Sequence, residues 1–141
     1  MTTKELGNLG EKLACEYLVG KGLNILGKNW RISFGEIDII AQKKWRFWPL
    51  FLRPIRPIHF VEVKTIINSD GPAPSEAEEF FPEQRVDYKK QQKLRQLAQI
   101  WLQKNKFPET QSYQIDIIGI TVNEIARSAK LHYFENAISE N

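Results

Sequence analysis

Gly35-Glu36-Ile37-Asp38-Ile39-Ile40 and, about twenty residues later, Phe60-Val61-Glu62-Val63-Lys64 read as two strands that carry charge where a core strand has none. Side chains on a strand alternate between its faces. In the second stretch that period sends Val61 and Val63 one way and Phe60, Glu62 and Lys64 the other, so Glu62 and Lys64 are neighbours. In the first it places Asp38 opposite Ile37 and Ile39, and pairing the two strands can bring Asp38 beside Glu62. A buried ion pair gives little net stability after desolvation, so two acids and a lysine on inner strands are poor candidates for packing alone. Carboxylate oxygens suit Mg²⁺ or Mn²⁺, and magnesium is commonly held by one or two protein carboxylates. A metal beside a phosphodiester polarises a phosphoryl oxygen and lowers the pKa of a bound water. Lys64 could orient or help deprotonate that water and offset charge in the transition state. The competing reading is a buried salt bridge of Lys64 with Glu62 or Asp38.

Composition bounds the rest of the chain. At 141 residues, with 42% apolar residues, the length fits one domain spanning 1–141 with one real core. The single cysteine, Cys15, excludes an internal disulfide and multi-cysteine zinc sites, and it suits a reducing, cytoplasmic setting. No run approaches the ~20 apolar residues of a membrane span, and the start Met1-Thr2-Thr3-Lys4-Glu5 lacks an apolar signal core. The net charge of +3 says little by itself; its distribution says more.

Upstream of the charged strands, Leu6, Leu9, Leu13, Tyr17 and Leu18 recur at helical spacing from Thr3 to about Lys21, and Gly22 supplies a stop. At 100° per residue Glu11 falls about 20° from Leu18, at the edge of the apolar arc. Leu23 to Leu26 and Asn29 to Phe34, broken by Gly27, predict a first hairpin leading into Gly35. Between the charged strands, Lys43 to Pro57 holds five basic residues, four aromatics, three prolines and no acid. Prolines disfavour a helix interior or central strand, so an inserted basic and aromatic arm at about 43–58 is expected. Trp45, Arg46 and Trp48 would stack on bases and contact phosphates, as single-strand binding surfaces do; the alternatives are a subunit interface or a membrane surface.

Downstream, the segment 67–83, with five acids and no base, reads as an acidic loop. A second helix runs from Pro82 or Asp87 to Lys104, with Leu94, Leu97, Ala98 and Trp101 on one face. Lys90 and Gln91 lie on that inward stripe, four and three residues before Leu94, whereas Lys89 and Lys93 point away. Tyr113 to Ile120 is a strand buried on both faces, in which Asp116 is expected to pair with a basic side chain or with backbone. Leu131 to Phe134 is a short final strand.

The order Gly10-Glu11, Asn29-Trp30-Arg31, Phe34-Gly35-Glu36-Ile37-Asp38, Phe60-Val61-Glu62-Val63-Lys64-Thr65, Lys90-Gln91 and a later Asp116 resembles the YraN-like family, placed in the PD-(D/E)xK nuclease superfamily near archaeal Holliday-junction resolvases. The resemblance spans nearly the whole chain except the arm and the acidic loop. It implies an α/β restriction-endonuclease-like core, a mixed sheet flanked by an N-terminal helix and a second helix after the Glu-x-Lys strand. It further implies that Asp38 and Glu62 hold the metal, that Lys64 is the catalytic lysine, that Glu11 completes the acidic set and that Lys90 and Gln91 form the polar pair of the second helix. The function expected on this basis is Mg²⁺- or Mn²⁺-dependent hydrolysis of branched or junction DNA. Arg85, Lys89, Lys93 and Arg95 would contact phosphates, and a homodimer would suit two-strand cleavage. The rivals are a non-catalytic nucleic-acid-binding module on the same fold, and a protein or membrane interaction protein acting through the arm.

Overall fold

The computed structural model describes residues 1–45, 49, 51, 55–68 and 86–138; most of the arm and of the acidic loop, together with Arg46, Trp48 and Arg85, lies outside the described residues. The element order is α1 (Thr3–Gly20), β1 (Leu23–Ile32), β2 (Gly35–Lys43), β3 (Ile58–Ile67), α2 (Tyr88–Lys104), β4 (Tyr113–Asn123) and β5 (Ser128–Phe134). The five strands form one mixed sheet in sequence order, antiparallel throughout except for the parallel pair β3 and β4. No described helix is long and apolar enough to cross a membrane.

Local chemistry sets the helix ends. Thr2 caps α1 reciprocally with Glu5: the Glu5 N–H donates to Thr2 Oγ1 at 3.1 Å and the Thr2 N–H to Glu5 Oε2 at 2.7 Å. Gly22, at φ +89°, turns the chain out of the helix in the left-handed region that glycine adopts without strain. Asp87 opens α2 by accepting the Lys90 N–H at 2.8 Å, which settles the two possible starts in favour of the later one.

The helices cover opposite faces. Beneath α1 lie Ala14, Cys15 and Leu18 with Ile39, Ala41, Val61, Ile118 and Ile120. Beneath α2 lie Leu94, Leu97, Ala98 and Trp101 with Ile40, Ile58, Phe60, Ile115 and Ile117. β4 is therefore buried on both sides, as its near-continuous apolar run requires. The first hairpin forms with a continuous β1 rather than two short segments, because a bulge between Ile25 and Gly27 absorbs the break; its turn is at Ser33-Phe34, since Ile32 pairs with Gly35.

Strict alternation along β2 does not hold at Asp38. Ile37 packs under α2 while Ile39, two residues on, packs under α1. Opposite this break Asn29 adopts φ +48°, a left-handed conformation that asparagine tolerates better than most residues. Asp38 is accordingly not on a face opposite to both isoleucines; the strand turns over at that residue.

Candidate active site at the strand fork

β2 and β3 pair only from Ile39 with Val61 to Gln42 with Ile58. Beyond that point they diverge, while β3 continues to pair with β4 as far as Ile67. The edge of β3 beyond the fork would leave backbone donors without a ladder partner. Asp38 fills that place: its Oδ2 accepts the Val63 N–H at 2.7 Å, which puts the carboxylate in the gap between the strands. Burial, next the charge of Glu62, and then the charges of Glu11 and Glu36 push the Asp38 carboxyl up to about 7, against the Val63 hydrogen bond that pulls it down. Strongly perturbed acids of this kind cluster at functional sites.

Glu62 stands on the other side of the fork, facing α2, and is buried at 5% exposure. Its Oε1 is paired with Lys64 Nζ at 3.2 Å and with Lys90 Nζ at 3.4 Å. Both lysine side chains remain about one third exposed, so each reaches solvent from the rim of the site. Glu62 and Lys64 are thus neighbours on one face, and the inward lysine of α2 arrives at the same oxygen.

The opposite side of the fork opens into a cleft of about 360 Å³ lined by Glu11, Lys12, Cys15, Lys28, Asn29 and Asp38 among others. Gly10 sets how closely α1 approaches: a Cβ at that position would come within 1.9 Å of Thr65 Oγ1. The tight crossing of α1 over β3 brings the next residue, Glu11, to the cleft shared with Asp38. One carboxylate buried between the strands is in this way also influenced by an acid from each side of the sheet, which adds to the larger effect of burial on Asp38.

Other expected site residues are placed differently. The Gln91 amide donates to the Val86 carbonyl at 3.0 Å, a contact local to the start of α2. Lys89 and Lys93 are exposed on the first turns of α2, whereas Arg95 lines another cleft with Glu109, Gln111 and Tyr113, at the β4 start and away from Glu62. Trp45 lies half-buried beneath the Arg56 guanidinium, 4.4 Å from its ring centre.

Asp116 is wholly buried and fully bonded. His59 Nδ1 donates to its Oδ2 at 2.6 Å and Tyr133 OH to the same oxygen at 2.5 Å, while Gln114 Nε2 and the Asn136 N–H donate to Oδ1 at 2.9 and 2.8 Å. Burial would raise this carboxyl, but the four donors outweigh it and hold it below the ordinary value. The sequence pattern does not single out His59, Tyr133 or Lys28, and it reads Asn29 only as part of Asn29-Trp30-Arg31. Only the turnover at Asn29 has a signal there, an asparagine opposite an acid between two strands.

Asp38 and Glu62 carry hard oxygen donors of the chemical type that Mg²⁺ or Mn²⁺ takes; Asp38 Oδ2 accepts from the Val63 N–H, and Glu62 Oε1 is paired with the two lysines. Among the described residues no three His, Cys, Asp or Glu side chains are grouped to hold an ion, and Glu11 acts on Asp38 by its charge.

The pattern of the uncharacterised protein family UPF0102 matches residues 10–120, a span that includes Glu11, the fork and the whole of α2. A UPF0102 protein of Desulforamulus reducens is 36% identical over 136 residues, covering 96% of this chain and 96% of its own. One from Caldanaerobacter subterraneus subsp. tengcongensis is 37% identical over 95% of this chain and 94% of its own, and one from Dictyoglomus turgidum 34% identical over 97% and 99%. With the fork inside the matched span and relatives similar along nearly their full length, the chain belongs to the family UPF0102, the YraN family.

Proposed function

We propose that this protein is a metal-dependent endonuclease that hydrolyses phosphodiester bonds of structured DNA, built as one domain on a restriction-endonuclease-like core and working in the cytoplasm. The observation that carries the reading is the fork itself: an Asp38 enclosed between the strands and held close to neutral titration, beside a Glu62 whose charge is balanced by two lysines. In this reading Asp38 and Glu62 hold Mg²⁺ or Mn²⁺, which when bound supplies Lewis-acid polarisation of a phosphoryl oxygen and a more acidic water. Hydrolysis bonds a water oxygen to phosphorus, breaks the bond to the leaving oxygen and delivers a proton there. Lys64 Nζ, anchored on Glu62 Oε1 but partly open to solvent, orients the water and offsets the charge that builds on the phosphoryl oxygens. Lys90 Nζ fixes Glu62 from the α2 side. Glu11 keeps Asp38 avid for a cation or a proton. Lys89 and Lys93, exposed beside Lys90, contact phosphates, and pairing of two copies would suit cuts on two strands.

One observation favours the rival of a non-catalytic nucleic-acid-binding module: Lys64 and Lys90 neutralise Glu62 without any ion. The experiment that separates the two incubates the protein with four-way junction, flap, single-stranded and duplex DNA in Mg²⁺ or Mn²⁺. The nuclease reading expects junction or flap cleavage that falls by at least ~10²-fold in Asp38→Ala and Lys64→Ala. Cleavage that persists in both variants, or no cleavage together with no Mn²⁺ binding through Asp38 and Glu62, leaves the binding module.

A further inference from the structure

At the end of the sheet remote from the fork, two adjoining clefts of about 420 and 410 Å³ share Lys43 and Arg56 in their walls. The second is also lined by Lys21 and Lys44 and by no acid; Glu135 is the one carboxylate in the first. Among the described residues none of these four cations is paired with a carboxylate. The backbone that carries them is tied down. The Lys44 N–H donates to the Gly22 carbonyl at 3.0 Å, and Arg56 donates from Nη1 to the Lys44 carbonyl at 3.3 Å. The Arg56 carbonyl in turn accepts from Gln42 at 3.1 Å and from Gln111 at 2.7 Å. Four cations lining adjoining clefts, with a single carboxylate among the lining residues, make a surface complementary to a polyanion.

We propose that Lys21, Lys43, Lys44 and Arg56 form a second phosphate-binding surface that holds a nucleic-acid strand at a distance from the fork. The partner chemistry follows from three features. Lys43 and Arg56 line both shallow clefts, so the four cations form one continuous basic surface along which a run of phosphates can lie. Arg56 lies over the Trp45 ring at 4.4 Å, so a guanidinium and an aromatic side chain stand together beside the clefts. The spacing is also suited to nucleic acid: Lys43 is five residues along β2 from Asp38, about 17 Å at the rise of an extended strand. That is about half the ~34 Å turn of a duplex, within the length of a single DNA arm. The proposal rests on the nuclease reading for the role of the fork, but the surface binds phosphates whether or not the fork cuts.

The test measures the full chain binding a fluorescent 30-base-pair duplex and a four-way junction in EDTA, across a series of salt concentrations. Lys21→Ala/Lys43→Ala/Lys44→Ala is expected to flatten the dependence of log K on log salt by roughly 2–3, about 0.9 for each phosphate no longer neutralised, and the matching triple Lys→Arg variant to retain the slope. An unchanged slope in the folded triple alanine variant overturns the proposal. So does binding of the parent to phosphatidylserine vesicles with no binding to either DNA. Because no metal is present, the outcome is separable from catalysis. A flattened slope in a protein that never cleaves leaves this surface standing and removes the nuclease reading; an unchanged slope with Asp38-dependent cleavage does the reverse.

Discussion

At the scale of single residues, the two aspartates set within the sheet are handled in opposite ways. Asp116 has four donors and is stabilised as a carboxylate; Asp38 has one, with acids around it, and is stabilised as the protonated acid. The sign of the consequence follows. Below the ordinary aspartate value of 3.8 Asp38 is protonated in both folded and unfolded chains and costs nothing. As pH rises toward about 7 the unfolded chain releases that proton while the fold retains it, so stability falls through this window and the full cost is present above it. Asp38→Asn keeps an acceptor for the Val63 N–H and removes the charge. It is expected to exceed the parent in stability by about 2–4 kcal/mol at pH 8 in metal-free buffer, with the difference closing by pH 4. Urea unfolding of both proteins between pH 4 and pH 8 checks this; parallel curves would contradict it. Tyr133→Phe removes one donor from Asp116 and is expected to cost about 1.5–3 kcal/mol while leaving DNA cleavage intact, because the Asp116 network serves the fold and stands apart from the fork. Thermal unfolding and a cleavage assay on the same preparation read both halves.

Among the elements, α1 is held to the sheet by a close crossing at Gly10. Gly10 crosses β3 so closely that a methyl group would meet Thr65 Oγ1, so Gly10→Ala forces α1 outward and carries Glu11 with it. We expect a loss of about 1–3 kcal/mol from overpacking. Because Glu11 then acts less on Asp38, the pH window for loss of stability should also shift downward. Asp87→Ala, by contrast, removes only the cap of α2 and is expected to cost about 1 kcal/mol in urea unfolding with no change in the pH window. Both helices are readable in the sequence because a 3.6-residue period survives any tertiary context. Their inward charges, Glu11 and Lys90, are readable for the same reason, as exceptions on a regular stripe. β1 is less legible, since a bulge has no periodic signature and Gly27 looks like a break.

For the whole molecule, what the sequence conceals is which strand lies beside which. The parallel pairing that sets Asp116 opposite Val61 joins residues 55 apart and brings His59, 57 residues away, within reach of it, and nothing local encodes it. The expectation that Asp116 finds a basic partner or backbone is correct, but the sequence could not name the partner. Neighbourhood of Glu62 and Lys64 needs only the two-residue period and survives unchanged. Regular alternation brings Asp38 near Glu62 for a reason that does not hold, because the strand turns over there and the carboxylate lies between the diverging strands. The charge pattern of the arm points to nucleic acid through Arg46 and Trp48, which lie outside the described residues. Of the cations that line the remote clefts, Lys43, Lys44 and Arg56 belong to the basic arm read from the sequence, whereas Lys21, at the end of α1, joins them only through the fold.

The central claim is that the fork hydrolyses phosphodiesters through Asp38 and Lys64. The most direct measurement is single-turnover cleavage of a four-way junction by the parent, Asp38→Asn and Lys64→Ala proteins in Mg²⁺ and in Mn²⁺, with folding of each checked beforehand. The account predicts cleavage by the parent and a fall of at least ~10²-fold in both variants, Asp38→Asn being inactive although it is the more stable protein at pH 8. Equal rates in parent and variants, or a parent that binds the junction but leaves it whole in either metal, would contradict it.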